Sequence, residues 1–191
     1  MATSVYVPAE ELLAAYPEDA RVEVVDGVVV PMSPTKSLHG LLAGRLFRRL
    51  GNYVEAHGLG ECFPEGTGFM LARQPDLLRA PDASFVARAR LPARFDHSWL
   101  ELAPDLAAEV LSPSETASSV ARKVDEYLRH GVRLVWIVDP ETRVPETRSA
   151  TVYTPTAAPR RLAAAATLDG GDVLPGFALP LADLFAGLPD G

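Results

Sequence analysis

Two apolar runs bracket a helical stretch in the second half of the chain, and this restricts the fold more than any other feature. Asp105-Leu-Ala-Ala-Glu-Val-Leu111 reads as a mostly apolar strand interrupted by one acid. Leu134-Val-Trp-Ile-Val138, closed by Asp139-Pro140, reads as a strand of the fully buried kind. Between them, Ser112-Pro113-Ser114-Glu115 carries the Ser and Pro of a helix start, and Gly131 is a C-terminal stop. Val120, Val124, Tyr127 and Leu128 share one face of that helix at spacings of three and four residues. Strand, helix and strand within about thirty-five residues make a βαβ unit, with parallel strands and a right-handed crossover.

The remaining segments are consistent with an α/β domain built on a mixed sheet flanked by helices. Residues 8–16 read as a short helix with Pro early and acids in the first turn. Val22-Glu-Val-Val-Asp-Gly-Val-Val-Val30 places two β-branched runs around Asp26-Gly27, the pair suited to a type I′ turn, and so predicts an N-terminal β-hairpin. After Ser33-Pro34, the positions of Leu38, Leu41, Leu42, Leu46, Leu50, Tyr53 and Val54 predict a helix that stops at Gly58. Gly68–Ala72 and Pro81–Ala87 are short strands, residues 88–104 a loop, Thr151–Thr154 an edge strand, and Leu174–Leu179 a final apolar segment. With no internal repeat and no low-complexity linker, a single domain over residues 1–191 is expected.

Composition removes several function classes. The formal charge of −7 disfavours a protein that coats nucleic acid or anionic membrane through its overall field, although a local arginine-lined cleft stays open. Lone Cys62 excludes an internal disulfide, and no Cys/His cluster has zinc spacing. No apolar run reaches the roughly 20 residues of a membrane span, and the N-terminus lacks the pattern of a signal peptide, so a cytoplasmic location is expected. The cations are lopsided: sixteen are Arg and two are Lys, Lys36 and Lys123. A lysine that persists in such a chain raises the question of what Arg could not do there.

Lys123 lies on the flank of the crossover helix, where its long stem can run along the sheet toward the strand ends. Two acids sit there as well. Asp82 follows Pro81, and Glu109 interrupts its apolar strand, where an unpaired carboxylate costs several kcal/mol. Two carboxylates and a lysine suit metal-dependent phosphodiester hydrolysis. The acids hold Mg²⁺ or Mn²⁺, which acidifies a water, and the lysine orients or deprotonates that water. Arg stays protonated and cannot serve as the base.

The ordered set Pro81-Asp82, Glu109 and Lys123 resembles the PD-(D/E)-x-K nuclease superfamily. More narrowly, the chain is similar to the Uma-type family of restriction-endonuclease-like proteins over roughly residues 5–185. The matching residues are Val22-Glu23-Val-Val-Asp-Gly27, Ser33-Pro34 with His39, and Pro104-Asp105-Leu-Ala-Ala-Glu109-Val-Leu-Ser112-Pro113. They continue through Lys123, Tyr127, Gly131-Val132, Trp136-Ile-Val-Asp139-Pro140 and Leu174-Pro-Gly-Phe177. The resemblance implies a DNA endonuclease in which Asp82 and Glu109 are the metal carboxylates, Lys123 is the catalytic lysine, and Glu23 and His39 are accessory groups. The chain departs from the pattern twice. The superfamily's usual lysine position, two residues after the second acid, holds Leu111, and an acid often found about four residues before the family's lysine is replaced by Ser119, for which Glu115 is a potential substitute.

A homodimer is expected, because cutting both strands commonly takes two sites and the hairpin offers an edge for pairing. Two rival readings keep the same fold. One is a catalytically inactive module that binds nucleic acid or a protein; the other is a structural or regulatory dimer in which Glu109 is a buried ion pair.

Overall fold

The computed structural model describes residues 6–17, 20–140 and 147–188. It has the expected α/β architecture, with its strands divided among three sheets. In the largest sheet the order is β10-β9-β8-β7-β6-β3, made of β3 (Gly60–Pro64), β6 (Ala83–Ala87), β7 (Leu106–Val110), β8 (Leu134–Asp139), β9 (Ser149–Thr154) and β10 (Ala157–Ala163). The pair β7–β8 is parallel and the other neighbours are antiparallel. That parallel pair is the βαβ unit read from the sequence, crossed over by α3 (Ala117–Arg129).

Alternation along β7 decides which side chains meet which helix. Leu106, Ala108 and Val110 pack with Leu42, Leu46, Leu50 and Val54 of α2 (Ser37–His57), whereas Ala107 packs with Val124 and Tyr127 of α3. Glu109 therefore belongs to the α3 face. The α2 stripe is fully or almost fully buried, and truncating Leu42, Leu46 or Leu50 to Ala costs about 2–5 kcal/mol. This helix ends, as predicted, at Gly58, whose φ of 60° suits a left-handed cap donating to Glu55 and Val54 carbonyls.

The hairpin also forms as predicted. β1 (Val22–Val25) and β2 (Val28–Pro31) close on Asp26 and Gly27, with φ of 52° and 74°, both positive as a type I′ turn requires. It stands in a separate four-stranded sheet, β2-β1-β5-β4, with β4 (Phe69–Ala72) and β5 (Leu77–Arg79). The first helix is shorter than read: α1 (Ala9–Leu13) places Ala9 against Val24, Met70 and Leu78. Buried Asp76 anchors it by accepting from Ala9 N–H at 2.6 Å and from the Tyr6 hydroxyl at 2.6 Å.

Two readings need correction, and one strand is new. Thr151–Thr154 is not at an edge: β9 lies between β8 and β10, and β10 is the edge. Its sequence, Ala-Ala-Pro-Arg-Arg-Leu-Ala, has little strand propensity, and Pro159 is tolerated because an edge leaves donors unpaired. The crossover helix starts later than Ser112. Thr116 is its cap, in a reciprocal capping box with Ser119, while Ser112 N–H is held by the Glu115 carboxylate at 2.8 Å. Residues 60–64, which the sequence does not mark, form strand β3, and a Cβ at Gly60 would collide with the Val86 carbonyl. The C-terminal part adds a two-stranded sheet of β11 (Thr167–Gly170) and β12 (Leu174–Pro180), which delivers Leu174, Phe177 and Leu179 to the core, and then α4 (Leu181–Leu184). Among the described residues, no helix is long and apolar enough to cross a membrane.

Candidate active site

Three neighbouring strands bring three acids into line. β3 pairs with β6 through Pro64↔Ala83, and β6 pairs with β7 through Ala83↔Ala108. One step beyond, Glu65, Asp82 and Glu109 occupy successive positions across the ends of β3, β6 and β7. Directly opposed residues of antiparallel strands share a face. Ala83 and Ala108 face α2, so Glu109 turns to the α3 side, while Asp82, just outside β6, meets His39 at the start of α2.

At one end of the row, Glu109 is buried and doubly held by α3. Lys123 Nζ stands 3.2 Å from Glu109 Oε2, and the Tyr127 hydroxyl donates to Oε1 at 2.6 Å. Burial pushes the Glu109 carboxyl up to about 7 against the pull of the Lys123 ammonium, with Asp82 and Glu23 adding to the push. Glu109 in turn holds Lys123 above the usual lysine range. Glu115 also approaches the ammonium, at 3.8 Å. It supplies an acid near the lysine, whereas Ser119 is occupied in capping its own helix.

In the middle, Asp82 Oδ2 accepts from Val110 N–H at 2.7 Å and lies 3.0 Å from His39 Nε2. His39 comes from the first turn of α2, and the hydrogen bond to Asp82 holds it above its usual value against the effect of burial. At the other end, Glu65 pairs with Arg21 and accepts from the Thr35 hydroxyl. Burial opposes its charge, but these bonds outweigh burial and hold the carboxyl below the usual range.

Glu23 is buried on β1. Its Oε1 accepts from Ala80 N–H at 3.1 Å, and Oε2 accepts from Arg79 at 2.6 Å. Arg79 is buried and also pairs with Glu126 of α3. Glu126 then meets Arg122 at 2.8 Å, and Arg122 reaches Asp26 in the hairpin turn at 2.8 Å. The hairpin sheet and the lysine-bearing helix are thus tied by one charged network.

The donors fit a divalent cation. Three carboxylates stand in a row served by Lys123 at one end and Arg21 at the other, while Asp82 between them has a backbone N–H and a histidine. Like charges this close disfavour joint ionisation unless a positive charge joins them. His39, Glu65 and Asp82 each offer a ligand atom, and these lie within 4.8 Å of one another. Glu109 is not in that group of three, although the sequence reading paired it with Asp82.

The model of the family described as "Uma2: Putative restriction endonuclease" matches residues 9–182. The chain belongs to the Uma2 family. A search of curated proteins gave no match. Among solved structures, the chain is similar to one from Anabaena variabilis ATCC 29413 described as a putative nuclease belonging to DUF820. That likeness has a TM-score of 0.76 at 20% identity, covering 92% of this chain and 96% of the other, and it shows a shared fold.

Within this Uma2 chain, four of the five residues singled out from sequence form two directly bonded pairs, Asp82 with His39 and Glu109 with Lys123, while Glu23, inside β1, bonds to Arg79. Sequence reasoning missed Glu65, because the strand that delivers it went unrecognised. Arg79 was missed as well, since an arginine in a three-residue strand gives no sign that two acids face it. Of the arginines on α2, Arg45 is committed to the C-terminal helix, donating to the carbonyls of Leu184 at 2.7 Å and Ala186 at 2.8 Å.

Proposed function

We propose that this Uma2 chain is a metal-dependent endonuclease that hydrolyses phosphodiester bonds of DNA. Asp82 and Glu109 would hold Mg²⁺ or Mn²⁺, and Lys123 would act on the attacking water. The observation that carries this reading is the placement of Lys123 3.2 Å from Glu109, in register with Asp82 across β6 and β7. A bound divalent cation supplies an acidified water and neutralises charge on the phosphate.

The chain's own groups do the rest. The Tyr127 hydroxyl and the Lys123 ammonium take one Glu109 oxygen each and fix the carboxylate's orientation. Val110 N–H fixes Asp82 in the same way. Lys123, partly exposed, is held charged while it pairs with Glu109. With that carboxylate taken by a cation, it would be free to turn toward a water, orient it and, once in the basic form, take up its proton. With the net charge at −7, substrate contact must be local, and salt dependence of binding modest. Two copies joined through the β2 edge, where Val28 and Val30 are 62% and 41% exposed, would present two sites to two strands.

The Glu109–Lys123–Tyr127 contacts also favour a second reading, a purely structural ion pair. Incubation of DNA and RNA substrates with Mg²⁺, Mn²⁺ or a chelator separates the two, with Lys123→Ala run in parallel. Metal-dependent DNA cleavage that disappears in Lys123→Ala supports the nuclease. Absence of cleavage by the folded wild type on every substrate and metal rejects it.

A further inference from the structure

We propose that His39, Glu65 and Asp82 form a second cation site that selects a first-row transition metal such as Mn²⁺ over Mg²⁺, with Asp82 shared between it and the Asp82–Glu109 pair. The proposal deepens the nuclease reading and rests on it for the role of Asp82.

The three ligands come from separate elements: the first turn of α2, the turn after β3, and the residue before β6. Such convergence is not a by-product of local sequence. Their ligand atoms lie within 4.8 Å of one another. Metal–ligand bonds of ~2.1 Å place neighbouring ligands ~3 Å apart and opposite ones ~4 Å apart, so modest side-chain rotation closes the set around an ion. His39 Nε2 faces Asp82 at 3.0 Å and is the ring nitrogen turned toward the carboxylates, whereas Nδ1 is buried and, among the described residues, has no hydrogen-bond partner.

Charge points to the same place. Lys123 serves Glu109, and Arg21 serves Glu65, so both ends of the acid row have a fixed cation. Among the described residues, Asp82 in the middle has the imidazole and a backbone N–H as its partners, and a divalent ion there would be held by carboxylates from both sides of the β3–β6 pairing. Ligand type then sets the preference. Mg²⁺ favours an all-oxygen shell and keeps its waters, whereas imidazole suits later first-row metals and carboxylates suit Mn²⁺. Phosphodiester-cleaving sites with two ions a few ångströms apart clamp the attacking and leaving oxygens together, and a shared carboxylate is the natural bridge.

The test is metal binding without substrate. Glu109→Gln weakens the Asp82–Glu109 pair and leaves the proposed triad whole, so it serves as the parent protein. Mn²⁺ is titrated into it and followed by electron paramagnetic resonance, with pulsed measurements for nitrogen coupling from an imidazole. The expected result is one bound Mn²⁺ with nitrogen coupling and little competition from equimolar Mg²⁺. Adding Glu65→Gln should weaken Mn²⁺ binding about 10- to 100-fold, and adding His39→Gln should remove the nitrogen coupling. If Glu65→Gln does not fold, the His39→Gln spectrum decides. Mn²⁺ binding without nitrogen coupling, or no binding by the Glu109→Gln parent, overturns the proposal. Intact binding with no cleavage by the wild type overturns only the nuclease reading.

Discussion

Tyr127 and Lys123, one helical turn apart on α3, take opposite oxygens of the same Glu109 carboxylate, at 2.6 Å and 3.2 Å. Tyr127 is wholly buried, so its hydroxyl has no water to replace this acceptor. Tyr127→Phe should cost about 1.5–3 kcal/mol, the range for a buried hydrogen bond to a charged group. Urea denaturation measures that loss. Single-turnover DNA cleavage should fall with it, because Glu109 is then free to rotate about Lys123. Lost stability with an unchanged cleavage rate would make Tyr127 a packing residue only.

Replacing Lys123 by Arg keeps a cation beside Glu109 and Glu115 but removes the ability to give up a proton. The fold should persist, with a melting temperature close to wild type. The cleavage rate should fall about 10²- to 10⁴-fold, the usual contribution of a general base. Quantitative single-turnover kinetics decide the matter, and a rate equal to wild type contradicts the base role.

Glu109 and Lys123 were legible because the signals that mark them are local. A carboxylate inside an apolar strand is conspicuous, and helical periodicity fixes which flank carries a lysine. The type I′ hairpin was legible for the same reason, since Asp26-Gly27 dictates its own backbone. Glu65 was not, because its relevance depends on β3 pairing with β6, and Gly60-Glu-Cys-Phe-Pro64 has no clean alternation to announce a strand. The late start of α3 was hidden by two competing cap signals. Ser112-Pro113 resembles a helix start, yet Thr116 closes the reciprocal bonds with Ser119. Edge strand β10 was hidden by composition: arginines and a proline suit an edge because an edge does not need two good pairing faces.

Arg79 is the keystone of the network between the hairpin and α3, with its side chain 8% exposed between Glu23 and Glu126. Arg79→Met leaves buried Glu23 without its cation, which typically costs about 3–5 kcal/mol, while Glu126 keeps Arg122. Arg79→Lys should recover only part of that, because one ammonium cannot reproduce a fork that reaches both Glu23 and Glu126. Denaturation midpoints of the two variants against wild type check the order. Equal stability for all three would mean that the network contributes nothing to holding α3 in place.

Cys62 gives a pH signature independent of the acid row. Burial, helped by the neighbouring Glu61 carboxylate, pushes its thiol up to about 12. Thiolate is the reactive form, so iodoacetamide at pH 8 should modify the native protein far more slowly than the unfolded chain. An unfolded cysteine titrates near 8.5. Between that value and about 12 the unfolded state gives up its proton while the folded state keeps it, so the folded state binds more protons. Stability from this group is therefore complete below about 8.5 and declines as pH rises through the window. Cys62→Ala removes the effect. Between pH 7.5 and pH 10, wild type should lose on the order of 2 kcal/mol relative to Cys62→Ala, read from urea denaturation of both proteins at both pH values. A stability difference that stays constant across that interval would mean that the partial burial of Cys62 against the core leaves its thiolate as well solvated as in the unfolded chain.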